Sequence, residues 1–185
     1  MEFANTTDLD TPRLRDLLLR HTAPYRHHDL TVRVRYTRKA EFSGSCYYQS
    51  RRIFGNIGRT LVYPYRLVTH VARSRSNATH WWRDAYRLVL SDAYQLVLFI
   101  YLHELFHHLV KSAQRNTRRK EAMCDRFAVR VLVDTYGCRL LDPHGQVPER
   151  SSWAFQQLDR FVAGAPREPA VVPAASATEL KAIPV

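Results

Sequence analysis

No apolar run in this 185-residue sequence is long enough to cross a bilayer. The longest, Leu96 to Leu102, falls far short of the ~20 residues that a membrane helix needs, and it runs straight into His103 and Glu104. A basic-then-apolar leader is also missing. Met1 to Pro12 is acidic and polar, so no secretory signal is expected. Cysteines are few: Cys46, Cys124 and Cys138 are odd in number and far apart. That excludes a disulfide scaffold, excludes zinc-ribbon cysteine pairs, and points to the reducing cytoplasm. No segment repeats. Acidic residues are scarce as well, with 17 Asp and Glu against 28 Lys and Arg, a formal net charge of +11. Such an excess suits polyanions, so nucleic acid is a candidate partner through a basic surface. The same excess also arises when arginine is simply spent on solvated faces.

What is present reads as one domain over residues 1–163, followed by a disordered Pro/Ala-rich tail over 164–185. Residues 1–8 read as a frayed start. Asp10 or Thr11 caps a helix from about Pro12 to His21. Leu30, Val32, Val34 and Tyr36 alternate with polar residues, which gives a strand with one buried face. Ser43–Ser45 reads as a turn around Gly44, flanked by strand pieces at Cys46–Tyr48 and Arg52–Ile57. Leu61–Val71 holds another strand, pushed to a sheet edge by Pro64. Ser74–Thr79 reads as a polar loop, and Trp81–Leu90 leans to strand. Trp81 and Trp82 are expected to pack in the core or at an edge. Ser91 or Asp92 caps a long helix to about Ser112. A basic segment leads to a second helix, from about Arg119 to Tyr136, which Gly137 stops. Ser151 or Ser152 caps a last helix to about Val162.

The sequence from Tyr101 to His108 is YLHELFHH. It places His103, Glu104 and His107 in an H-E-x-x-H pattern on the first long helix. Residues four apart on a helix differ by about 40° in direction, so the two imidazoles can share one metal ion. Glu104 stands about 100° from His103, at the rim of that face, suited to take a proton from the attacking water. Catalytic zinc is usually held by three protein ligands, so one more is needed. The second helix offers Glu121 and Asp125, again four apart. Glu121 can complete the set, and Asp125 can fix the tautomer of a ligand histidine. Tyr136 and His144 are candidates for steadying an oxyanion, though each suits a structural role better. Cys124 is expected to face the core.

The blocks HELFHH and EAMCDRFA resemble the H-E-x-x-H and E-x-x-x-D blocks of the gluzincin metallopeptidases. EAMCDRFAVRVL is similar to the Glu-bearing helix of ImmA/IrrE-like peptidases. SGSCYYQSRRIFGNIG resembles the substrate-side strand of SprT-like peptidases. Together these likenesses cover about residues 12–136. They imply an α+β, zincin-like fold: a short twisted sheet packed on the H-E-x-x-H helix and a second Glu-bearing helix. They further imply Zn2+ as cofactor and a protein or peptide substrate bound by strand addition. Two departures stand out: no third histidine follows His107 at suitable spacing, and no C-terminal zinc ribbon is present. The expected function is zinc-dependent peptide hydrolysis. Its rivals are a basic nucleic-acid-associated protein with a structural or absent metal, and a zinc hydrolase of non-peptide bonds.

Overall fold

The computed structural model describes residues 1–169 apart from Lys39 and Arg119. It is an α+β structure. Strand β1 (Glu2–Asn5) is followed by helix α1 (Thr11–Thr22), then β2 (Thr31–Tyr36), β3 (Phe42–Tyr47) and β4 (Arg52–Ile57). These four strands form one sheet in the order β1-β2-β4-β3. The pairs β1–β2 and β2–β4 are parallel, and β3 lies antiparallel on β4. A second sheet is built from β5 (Tyr65–Thr69), β8 (Tyr86–Leu90) and β9 (Arg139–Leu141), and β6 (Ser74–Ser76) pairs with β7 (Trp81–Arg83) as a hairpin. Helices α2 (Ala93–Ser112), α3 (Glu121–Tyr136), α4 (Arg150–Trp153) and α5 (Leu158–Val162) complete the chain.

Local chemistry explains the best-defined elements. Asp10 caps α1, its carboxylate accepting from the Arg13 N–H at 2.8 Å, and Leu14 and Leu18 on the inner face are fully buried. Asp92 caps α2 in the same way, accepting from the Gln95 N–H at 2.9 Å. Most of α2 from Leu96 to Val110 is buried, including every residue of its apolar run. A helix apolar all round belongs in the centre of a domain, and α2 lies there between the four-stranded sheet, α1 and α3. Gly137 ends α3 with φ of 66°, a left-handed conformation that glycine adopts at no steric cost. The alternation of β2 appears as expected, with Val32 and Val34 buried and Arg33 and Arg35 exposed.

The fold departs from the sequence reading in several places. The first residues are not frayed, because Glu2–Asn5 add a parallel edge strand to β2. A four-residue strand carries too little periodicity to be seen without its partner. Gly44 does not make a turn; it sits mid-strand in β3, opposite Gly55 of β4, and the chain reverses at Tyr48–Arg51 instead. The stretch Ser74–Thr79 holds strand β6 and the start of a tight turn in which the Asn77 side chain accepts from the N–H groups of Thr79 and His80. Trp81 and Trp82 do not pack in the core, being 73% and 43% exposed on that hairpin. The last helix is broken into α4 and α5. The body also extends beyond residue 163. Ala165 is buried, the Arg26 N–H donates to the Pro166 carbonyl, and Tyr25 bridges to Arg167. The rest of the expected tail, from residue 170, lies outside the described residues. Among the described residues no helix is long and apolar enough to cross a membrane.

Candidate metal centre

Helix α2 brings His103 and His107 onto one face, their ring centroids 5.1 Å apart. Both rings are nearly buried. Helix α3 packs against α2 and opens at Glu121, an acidic residue in its first turn. The Glu121 carboxylate spans the two imidazoles. One oxygen lies 3.1 Å from Nε2 of His103 and the other lies 3.2 Å from Nε2 of His107. One turn further on, Asp125 meets Nδ1 of His103 at 2.9 Å. Its second oxygen accepts from the His70 N–H at 2.8 Å. Asp125 is thus held from β5's end and in turn holds the His103 ring.

This arrangement calls for a positive charge. When Nδ1–H of His103 donates to Asp125, Nε2 of a neutral ring turns a lone pair toward the Glu121 carboxylate. Two electron-rich atoms at hydrogen-bond distance repel unless a cation sits between them, either a proton or a metal ion. Burial disfavours charge on His103, but the hydrogen bonds to Asp125 and Glu121 outweigh it and hold its pKa up at about 9. His107 goes the other way: burial and the neighbouring His103 charge lower its pKa. Hydrogen bonding to His103 holds Glu121 below the usual carboxylate range. Two imidazoles and a carboxylate meeting at one point fit a borderline divalent ion such as zinc.

Cys124 also belongs to this neighbourhood. Its Sγ and ring nitrogens of His103 and His107 lie within 4.8 Å of one another, a group that could hold a metal ion. By its place in the sequence Cys124 is expected to face the core. It is fully buried, yet it is buried beside the histidines. Burial, with Glu121, Asp125 and Glu104 nearby, pushes its thiol well above the ordinary range. A thiolate there therefore requires a bound cation.

Glu104 lies on the sheet side of α2, against strand β3. A Cβ built on Gly44 would fall 2.3 Å from the Glu104 carboxylate oxygen and 2.9 Å from its Cδ and Cγ. Glycine at position 44 thus makes the space that the carboxylate occupies. Burial raises the Glu104 pKa to about 7, with the His103 charge pulling it down and Glu121 pushing it up. A carboxyl group poised there can both accept and return a proton near neutrality. Gly44→Ala is expected to lower the melting temperature by several degrees, because the added Cβ meets Cγ and Cδ of the nearly buried Glu104 as well as its carboxylate oxygen, and such overpacking costs about 1–3 kcal/mol. Its activity should fall about 10²-fold, the penalty of a ~1 Å misplacement of a reacting group. Paired melting and turnover measurements check both halves.

A cleft of about 190 Å³ opens beside Glu104, lined by Phe42, Gly44, Val68, His70, Phe99 and Ile100, together with His103, Glu104 and Asp125. Two of these residues, Val68 and His70, come from β5 and its end, which sequence reasoning did not connect to the site. Their contribution has no local signal, because it depends on a second sheet docking beside the first. The alternative oxyanion candidates lie elsewhere. The Tyr136 hydroxyl is paired with His21 Nε2 at 2.7 Å, and His144 sits in an exposed turn closed by Asp142. His108 is buried and turned toward Ser112, away from this cluster.

No protein-family model, curated protein or solved structure matches this chain.

Proposed function

We propose that this chain is a zinc metallopeptidase of the minimal gluzincin type, with a zincin-like fold. His103, His107 and Glu121 would hold the ion, Asp125 would orient His103, and Glu104 would be the general base. The observation that carries the reading is the Glu121 carboxylate meeting both Nε2 atoms across the α2–α3 contact, with Glu104 next to His103 in the helix and lining the same cleft. Bound zinc supplies a Lewis acid that acidifies water and polarises a carbonyl.

The chain's own groups account for the rest. Strand β3 is the last in its sheet, so its outer edge has unpaired backbone N–H and C=O groups. An extended peptide can pair with that edge by strand addition. Gly44 lies on that same edge, and its α-carbon is the point at which β3 comes against Glu104. A peptide laid along β3 therefore passes Glu104 with its backbone in reach. Glu104 takes a proton from the attacking water and passes it to the leaving amine, a role matched to a pKa near 7. The half-buried Phe42 and the exposed Val68 line the same cleft and give it apolar surface for a substrate side chain.

Metal analysis of the purified protein tests the reading. About one zinc per chain is expected, with thermal stabilisation on adding zinc, and both should vanish in His103→Ala. Absence of bound metal, with no response to added zinc, would refute it.

A further inference from the structure

The four-stranded sheet carries its helices on one face only, the face of Val32, Val34, Ile53 and Gly44. The opposite face is built from the alternate residues of β2, β4 and β3. Register places Arg35 beside Asn56, Asn56 beside Ser43, Phe54 beside Arg33 and Ser45, and Arg52 beside Tyr47. The face is basic and aromatic at once. Arg33, Arg35, Arg38 and Arg52 are all exposed, and none is in a salt bridge among the described residues. Tyr47 is 55% exposed and meets the Phe54 ring edge-on at 5.6 Å. The Arg35 guanidinium lies 5.2 Å from the centroid of Phe54. Acidic groups stay at the margins: Glu2 accepts from Thr31, and Asp8 stands 3.8 Å from Arg59.

The face is also shaped. A cavity of about 660 Å³ lies among Arg35, Arg38, Arg59, Ser43 and Asn56. A second, of about 210 Å³, lies among Arg35, Arg52, Ser45, Tyr47 and Phe54. Arg35 lines both, so the two lie side by side on this face. Its position is fixed from below. The buried Asn56 accepts from Arg35 Nε at 2.7 Å and donates to Ser43 Oγ at 2.9 Å. Between α2 and α3, Arg115 and Lys120 are drawn over the Phe161 ring.

Phosphates need cations, whereas exposed aromatic rings gain only from bases that are free to stack. A duplex offers the first and hides the second. We propose that this outer sheet face binds single-stranded nucleic acid. Bases stack on the exposed Tyr47, whose ring Phe54 braces edge-on, and Arg33, Arg35, Arg38 and Arg52 contact the phosphates. The site uses neither the histidines nor a metal ion, so it stands apart from the peptidase reading.

Titrating the full chain into a labelled 15-nucleotide oligothymidylate at several salt concentrations tests the proposal. Each phosphate contact contributes a slope of about −0.7 in log affinity against log salt, so four arginines give about −3. The double variant Arg33→Gln/Arg52→Gln should bind more weakly and flatten the slope by about 1.4. Tyr47→Ala should weaken binding roughly tenfold with the slope unchanged, as expected for loss of a stacked base. A duplex of equal length should bind less tightly than the single strand. All three substituted side chains are exposed, so the variants should melt like the parent. If the double variant binds with unchanged affinity and slope, the contact lies elsewhere, for instance on the Trp81–Trp82 hairpin, and the proposal fails. Equal affinity for duplex and single strand would overturn it too.

Discussion

Glu104→Gln is expected to lower kcat on an unfolded protein substrate by about 10³-fold, within the range for loss of a general base, while zinc content stays at the parent level. Glutamine has the same shape, so it can fill the space beside Gly44 without disturbing α2. What it loses is the ability to accept a proton. Because Glu104 is nearly buried, no bulk water or buffer base can easily stand in for it. Turnover and metal content should be measured on the same preparation. A variant that keeps its activity removes Glu104 from the mechanism, whatever the metal content. A variant that loses both activity and zinc points to collapse of the site rather than to the loss of a base.

The second large effect separates two candidates for the third ligand. Glu121→Ala is expected to weaken zinc binding about 10²-fold, and Cys124→Ser to leave it nearly unchanged. Zinc held at a four-ligand structural site is worth ~10–16 kcal/mol, so one ligand is worth about 3 kcal/mol, or ~10²-fold. Glu121 is favoured on chemistry. Its carboxylate is already ionised, is held below its usual range by His103, and faces both Nε2 atoms. The Cys124 thiol must first lose a proton in a buried site crowded with carboxylates, which raises its pKa. Competition titrations with a chromophoric chelator read both affinities. The reverse pattern, with Cys124→Ser losing the metal and Glu121→Ala retaining it, would make the ligand set His103, His107 and Cys124. Glu121 would then be only a mobile acid at the mouth, in keeping with its 71% side-chain exposure.

Much of this arrangement is local, and local features are legible in a sequence. The spacing of His103 and His107, and of Glu121 and Asp125, fixes their relative direction as soon as each segment is helical. The caps at Asp10 and Asp92, the stop at Gly137 and the alternation of Val32 and Val34 are likewise decided by neighbours within a few residues. The sequence by itself therefore determined an α+β chain with two long helices bearing facing pairs of potential ligands.

Which residues meet across the site was decided by tertiary packing alone. Edge strand β1 exists only because β2 offers it a partner. Gly44 reads as a turn in isolation, because glycine is a common turn residue. In the fold it is extended, since its lack of a side chain is needed against Glu104 rather than for backbone freedom. His70 and Val68 reach the cleft only once the second sheet docks, and Cys124 approaches the histidines only once α3 packs on α2. These contacts join residues 17 to 60 positions apart in the chain. Their free energy comes from burying α2 among both sheets and three helices, and no short window of sequence contains that information.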